Sequence, residues 1–378
     1  MKGRAALLFF AASVSLRCGS SAPPSAGPAT TANYRAPYEA PPAGRHSIEI
    51  RVDSRAAHDL FAFLTRPAFD AEGAKAIEAL PAVRLSVQDS GRTLETFDHD
   101  LAAAFDEQAR SGVFDLHPIR ADRARWEGLL AALPSREANL GRMAAERAAA
   151  LLPADRSVSA RLHVLLSFGL AGLADHLVVV GPDGNEAMIV DLSRALGESA
   201  SETVDNQVER LARLVAGEAF RRAWFNYRRE SPAWAHRDPS LGELAPLLQL
   251  VTEQGPLSLF HVDENFFPLS VWLKEPMKRS IADLNRTAER LVESEKDLEK
   301  RMALMTEIER PEFAQRIAGP AGAFLCDGII QNSGLDAFRS ALAAGPKAFF
   351  TAYDQAQRKS RDLIPLSPVI RERIGVPR

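Results

Sequence analysis

Glu218 has the clearest claim to chemistry in this chain. It lies in Val208–Phe225, a stretch that reads as one amphipathic helix. At about 100° per residue, Val208, Leu211, Leu214, Val215 and Phe225 share an apolar arc. Arg210, Arg213, Gly217 and Arg221 fall outside it or at its edge, and Glu218 falls in its middle. A carboxylate placed there is costly unless it is paired or used. Two partners lie close in sequence. Arg222 stands at i+4, and Arg221 carries a permanent charge and no lone pair for a metal. Further on, Glu253-Gln254-Gly255-Pro256-Leu257 puts a carboxylate and an amide oxygen beside a glycine. Of the eight histidines, His163, His176, His236 and His261 are scattered; His261 lies close to Asp263 and Glu264. No Gly-x-Ser-x-Gly and no Gly-rich phosphate loop occurs.

The elements that position these residues follow in chain order. Ile48, Ile50 and Val52 alternate with polar partners, so 46–52 reads as a strand. Residues 55–105 read as helical, with breaks at Pro67, Pro81 and Gly91. A helix over 121–133 is expected to stop at Pro134, with Ser135 capping a second helix over 136–152. The one strongly β region is Val158–Phe168, then Leu177–Val180, a Gly181-Pro182-Asp183-Gly184 turn, and Ala187–Leu192. The long helix opens at Ser201-Glu202. After a loop, 241–251 reads as helical, with Pro246 tolerated in its first turn. A charge-laced helical stretch is expected over 277–309, and a small-residue helix over 319–334.

Strands and a hairpin immediately before a helix carrying x-Glu-x-x-x resemble the order found in zinc-dependent peptidases of gluzincin type. Those enzymes carry His-Glu-x-x-His on the helix and a third ligand on a later one. The resemblance spans about residues 45–360. It implies that Gly217 and Arg221 stand at the two histidine places and Gln254 at the third-ligand place, with Glu253 a less well framed substitute. Glu218 would be the remnant general base, idle without its metal. The vacated cleft would be lined by Arg222, Trp224 and Glu253. Gly217 has no side chain, Arg221 cannot bind a cation, and Gln254 is a feeble zinc ligand. The resemblance therefore implies no bound metal or cofactor in this chain, although motif-retaining relatives would hold zinc. It leaves two arrangements open at Arg221. Either its guanidinium fills the old metal pocket and neutralises Glu218 or Glu253, or it faces solvent and Glu218 pairs with Arg222.

Composition narrows the class. The chain has 378 residues, 46% hydrophobic and 25% charged, enough to bury a sizeable core. The net charge of −3 argues against nucleic acid as a partner. Lys2 and Arg4 precede an apolar run over 5–16 and then Cys18, so 1–18 reads as a lipoprotein-like signal peptide with Cys18 as the lipidation site. Residues 19–45 are Pro-, Ser- and Ala-rich and read as a disordered tether. With Cys18 lipidated, Cys326 has no intrachain disulfide partner and reads as a buried thiol. The expected fold is α+β: a mainly helical, zincin-like domain over 46–378 with a small mixed β-sheet against the Glu218 helix. Its parts are 46–157, 158–230 and 231–378. The expected function is a catalytically inactive, exported lipoprotein of the cell envelope. Cys18 would anchor it to the membrane, and it would bind an unknown peptide or protein in the old cleft. Two alternatives stand beside it. One is an active metal hydrolase with Glu218 as base and non-standard ligands such as Glu253 and a loop histidine; the other is a purely structural envelope lipoprotein.

Overall fold

A computed structural model describes residues 46–106, 108–109, 112–170, 174–180, 186–197, 202–262 and 271–376, with backbone alone at 261–262 and 271–274. The expected signal peptide, Cys18, the tether, the 181–184 turn, Ser201, Asp263, Glu264 and the His261 side chain lie outside what is described. The fold is α+β. Helices dominate, and one mixed sheet has four strands in the order β1-β2-β4-β3: β1 is His46–Asp53, β2 Val158–Ser167, β3 His176–Val180 and β4 Glu186–Asp191. Two compact units emerge. One comprises Ile50–Arg142 with Leu162–Leu211; the other comprises Met143–Arg161, the chain from Ala212 onwards, and the first residues of β1.

In the first unit, β2 and β4 run parallel, His163 opposite Ala187 through Ser167 opposite Asp191. β3 pairs antiparallel with β4, from His176 opposite Val190 to Val180 opposite Glu186. Four helices fill most of the stretch after β1: α1 (Arg55–Leu64), α2 (Ala71–Glu78), α3 (Pro81–Asp89) and α4 (Leu94–Ala103). Their breaks fall where Pro67, Pro81 and Gly91 were expected to put them. Ala56 of α1 and Ala82 and Leu85 of α3 join Leu165, Val179, Ala187 and Ile189 of the sheet in one buried cluster. The strand side chains alternate, so one sheet face can meet these helices. α5 (His117–Ala121) then leads into α6 (Arg123–Leu151).

α6 corrects an expectation. Pro134 does not stop it, and the helix is continuous. Trp126, Leu129, Leu130, Leu133 and Leu140 are all buried along it, and that apolar stripe outweighs one lost backbone bond. Ser135 begins no new helix; its hydroxyl donates back to the Ala132 carbonyl at 2.9 Å. At Gly141 the helix lies so close to β1 that a Cβ would stand 2.7 Å from the Ile50 carbonyl oxygen.

The second unit is helical. α7 (Leu192–Ala195) belongs to the first unit and precedes α8 (Val204–Glu230), whose larger part opens the second. α9 (Pro232–Ala235) and a 3-10 turn lead to α10 (Ala245–Val262). Then come α11 (Val271–Glu293), α12 (Leu298–Ile308), α13 (Pro311–Phe313), a π turn over Ala314–Ala318, and α14 (Gly319–Ser333). α15 (Leu335–Ala344), α16 (Pro346–Gln357) and α17 (Pro368–Arg373) close the chain. The stretch expected as one charged helix over 277–309 is divided in two, because the Asp297 carboxylate accepts from the Lys300 N–H at 3.0 Å and starts α12 afresh.

α14 is the centre of this unit, buried over most of its length. It crosses α10 backbone to backbone: a Cβ on Gly255 would lie 2.6 Å from the Gly322 carbonyl carbon. The π turn has a chemical cause. Pro320 has no N–H to donate to the Arg316 carbonyl, and that oxygen accepts instead from Ser280 Oγ of α11 at 3.2 Å. Nearer the C-terminus, the buried Asp354 carboxylate accepts from Arg358 Nε and Arg371 Nε, each at 2.9 Å.

Candidate functional site

Val208, Leu211 and Val215 of the expected arc are buried, and the buried side of α8 in the second unit is made by Val215 with Ala212, Ala216, Ala219, Phe220, Ala223, Trp224 and Tyr227. These cluster around Ala216 and Ala219, not around the arc that Leu214 and Phe225 suggest. Phe225, expected on the apolar face, is 54% exposed. Glu218 lies nearly opposite the middle of this buried face and is nevertheless only 6% exposed. Its neighbours explain this. Arg221 donates through Nε to Glu218 Oε2 and through Nη2 to Oε1, both at 2.7 Å. Arg222 Nε donates to Oε1 at 3.1 Å. Two guanidiniums one turn along the helix therefore cover both carboxylate oxygens. Of the two arrangements left open at Arg221, parts of both occur: Arg221 pairs with Glu218, and so does Arg222. The Arg221 side chain keeps 43% of its surface in solvent, while Arg222 keeps 13%.

Arg222 also ties the helix to the first residues of β2, which belong to the same unit. Its Nη1 donates to the Arg161 carbonyl on β2 at 3.1 Å, and one turn further Asn226 Nδ2 donates to the Ser159 carbonyl at 2.9 Å. Four helix residues rise about 6 Å, and two strand residues span about 6.6 Å. The two repeats therefore match, with helix and strand antiparallel. Pairing between β2 and β4 begins at His163, so Ser159 and Arg161 lie beyond it, and their carbonyls find donors on α8.

α10 packs along the other side of α8. A Cβ on Gly217 would lie 3.1 Å from Phe260 Cβ, and the Phe260 ring stands 5.0 Å from that of Phe220. Near the other end of the contact, Trp224 Nε1 donates to the Glu253 carbonyl at 3.2 Å. The Glu253 carboxylate pairs with Arg228 Nη1 and accepts from Gln249 Nε2 at 2.8 Å. Arg228 lies over Trp224 and Trp234, 5.8 and 5.9 Å from the ring centres. Trp224 stacks on Tyr227 at 5.5 Å. Tyr227 is fully buried and donates to Asp155 at 2.9 Å; burial, reinforced by that carboxylate, pushes its hydroxyl far above the ordinary tyrosine value.

The predicted site residues therefore divide into two groups. Glu218, Arg221 and Arg222 come together. Glu253 and Trp224 form a separate centre with Arg228, Gln249 and Trp234. Gln254 is half-buried within α10. Sequence reasoning missed Arg228, Asn226 and the Asp155–Tyr227 bond. The spacing of Phe220, Trp224 and Tyr227 on one helix face was the available signal for the aromatic centre.

The resemblance to zinc peptidases implies a zinc ion, and the residues present do not fit one. Zinc requires three side-chain donors converging at about 2.0–2.3 Å. Gly217 offers none and faces Phe260, Arg221 is a cation bound to Glu218, and Glu253 is bound to Arg228. Among the described residues no group of three His, Cys, Asp or Glu side chains gathers into a metal-sized cluster. His163 is exposed, His176 Nδ1 lies 2.6 Å from Asp175 Oδ1, and His236 lines a small surface recess beside Trp234 and Gln249. No protein-family model, curated protein or solved structure matches this chain.

Proposed function

We propose that this protein is a non-catalytic, exported lipoprotein of the cell envelope, anchored through Cys18, in which Glu218 is a structural ion-pair centre. The observation that carries this reading is the pairing of Glu218: both oxygens accept from guanidinium groups, in three bonds from Arg221 and Arg222. A general base needs an open lone pair aimed at a water or substrate proton. Here Arg221 and Arg222 take three of the carboxylate's roughly four acceptor directions, and the side chain keeps only 5% of its surface in solvent. The β2 carbonyls that could hold an extended peptide beside the helix are engaged as well, at Ser159 and Arg161. That favours the structural role over peptide capture in a retained cleft.

A double-mutant cycle on the full chain tests the centre. Glu218→Gln leaves two guanidiniums short of their carboxylate, with an expected loss of about 1–3 kcal/mol of stability. Arg222→Ala loses both its carboxylate and its strand partner and is expected to cost a similar amount. The two losses should add to clearly more than the double variant shows, since neighbours in one network do not act independently. Additive losses would overturn the structural role. Anchoring has its own test: Cys18→Ala should abolish incorporation of labelled fatty acid and release the protein from the membrane fraction. An unlabelled wild-type protein would contradict it.

A further inference from the structure

The misfit to zinc goes deeper than substituted ligands. We infer that positions 217, 221 and 254 of this chain do not border one common space, so the α8–α10 pair is not a metal-site frame from which ligands were lost. Two contacts fix how these helices lie. Gly217 meets Phe260, and Trp224 meets the Glu253 carbonyl. The helices are therefore antiparallel, and seven residues of one match seven of the other. The point on α10 level with the middle of 217–221 is close to Ser258. Gln254 lies about one turn, roughly 6 Å, further along α10.

Direction excludes Gln254 as well. On α10 the side towards α8 is marked by Glu253 and Phe260. The side towards α14 is marked by Gly255, against Gly322, and by Ser258, against Gly319. At about 100° per residue, Gln254 falls between these two sides and projects along neither. The substitute Glu253 does project towards α8, but it is level with Trp224 and held by Arg228. The glycines that made the pattern look like a site have packing causes. Gly217 lets Phe260 close on α8, and Gly255 lets α14 cross α10. With Gln254 about one turn along α10 and turned away from α8, three donors at 217, 221 and 254 cannot meet at one zinc ion.

The test restores the supposed ligands in the full chain and measures metal binding directly. The triple variant Gly217→His, Arg221→His, Gln254→Glu is expected to bind zinc no better than wild type in calorimetric titration. It should also show no intense visible absorption with cobalt(II). Its thermal midpoint should fall, because the Gly217→His side chain has to displace Phe260. To separate absent binding from failed folding, Arg221→His with Gln254→Glu changes only half-buried positions and should fold. It too is expected to gain no affinity. A gain of about tenfold or more in zinc affinity by either variant, with tetrahedral cobalt absorption, would overturn the inference. That outcome would leave the structural role of Glu218 in the wild type standing, whereas additive losses in the cycle above would remove that role and leave the helix geometry untouched.

Discussion

Glu218 shows how a residue whose type and place suggest catalysis in one dimension can be ion-paired in three. Its type and its apolar neighbours promised either a pair or a chemical role, and the choice depended on where two arginines point. Arg222 at i+4 was readable as a partner. Pairing of Arg221 with Glu218 was also one of the two arrangements left open; that both arginines share the carboxylate was not readable. Arg221 is nearly half exposed, so its own loss should be small. Arg221→Ala is expected to lower stability by less than about 1 kcal/mol, well below the effect of Arg222→Ala, as read from denaturant midpoints. A second buried carboxylate offers a pH test. Asp191 is fully buried at the end of β4 and accepts from Ser193 Oγ at 2.6 Å and the Leu170 N–H at 2.9 Å. Burial raises it above the ordinary aspartate value, against the pull of those hydrogen bonds. Folding therefore favours its protonated form. Its contribution is full below the unfolded value near 4 and is lost as pH rises through the higher folded value. Asp191→Asn should flatten the fall in thermal midpoint over that interval; an unchanged profile would refute the shift.

At the scale of elements, most boundaries were legible and most partnerships were not. Pro67, Pro81 and Gly91 marked real helix ends because each interrupts a short amphipathic segment that has little else to extend it. Pro134 did not, because its helix buries a stripe of large side chains on both sides of the proline. The β strands were readable from alternation and apolar runs. The parallel pairing of β2 with β4, which places β3 at the edge, was not, since no local signal specifies a partner that lies past an intervening strand. The face of α8 was misjudged for a related reason. Ala212, Ala216, Ala219 and Ala223 form its buried side together with Phe220, Trp224 and Tyr227, and an arc drawn through Leu214 and Phe225 points elsewhere. Close helix contact makes a firm prediction. Gly255→Ala inserts a methyl group 2.6 Å from the Gly322 backbone, so α10 and α14 must separate. The expected cost is about 1–3 kcal/mol or more, seen as a lowered unfolding midpoint. Gly91→Ala is a poor control because of its positive φ. Gly128→Ala, with open space around its Cβ, should be neutral or stabilising.

At the scale of the molecule, the features that suggested an address and those that suggested an activity separate. The expected signal peptide, Cys18 and expected tether precede the described residues, and the anchoring proposal rests on their sequence. The region around Glu218 has a physical account that uses no metal: a carboxylate clasped by two guanidiniums, one of which also holds β2. The resemblance to zinc peptidases was legible as an order of elements, while the spacing and direction that a metal site demands emerge only when helices are placed in space. The most direct measurement is peptide hydrolysis by the purified full chain, with and without added zinc, alongside the Glu218→Gln variant. The account predicts no zinc-dependent hydrolysis by either protein and a lower thermal midpoint for the variant. Zinc-dependent hydrolysis by the wild type that disappears in Glu218→Gln, with the midpoint unchanged, would contradict it.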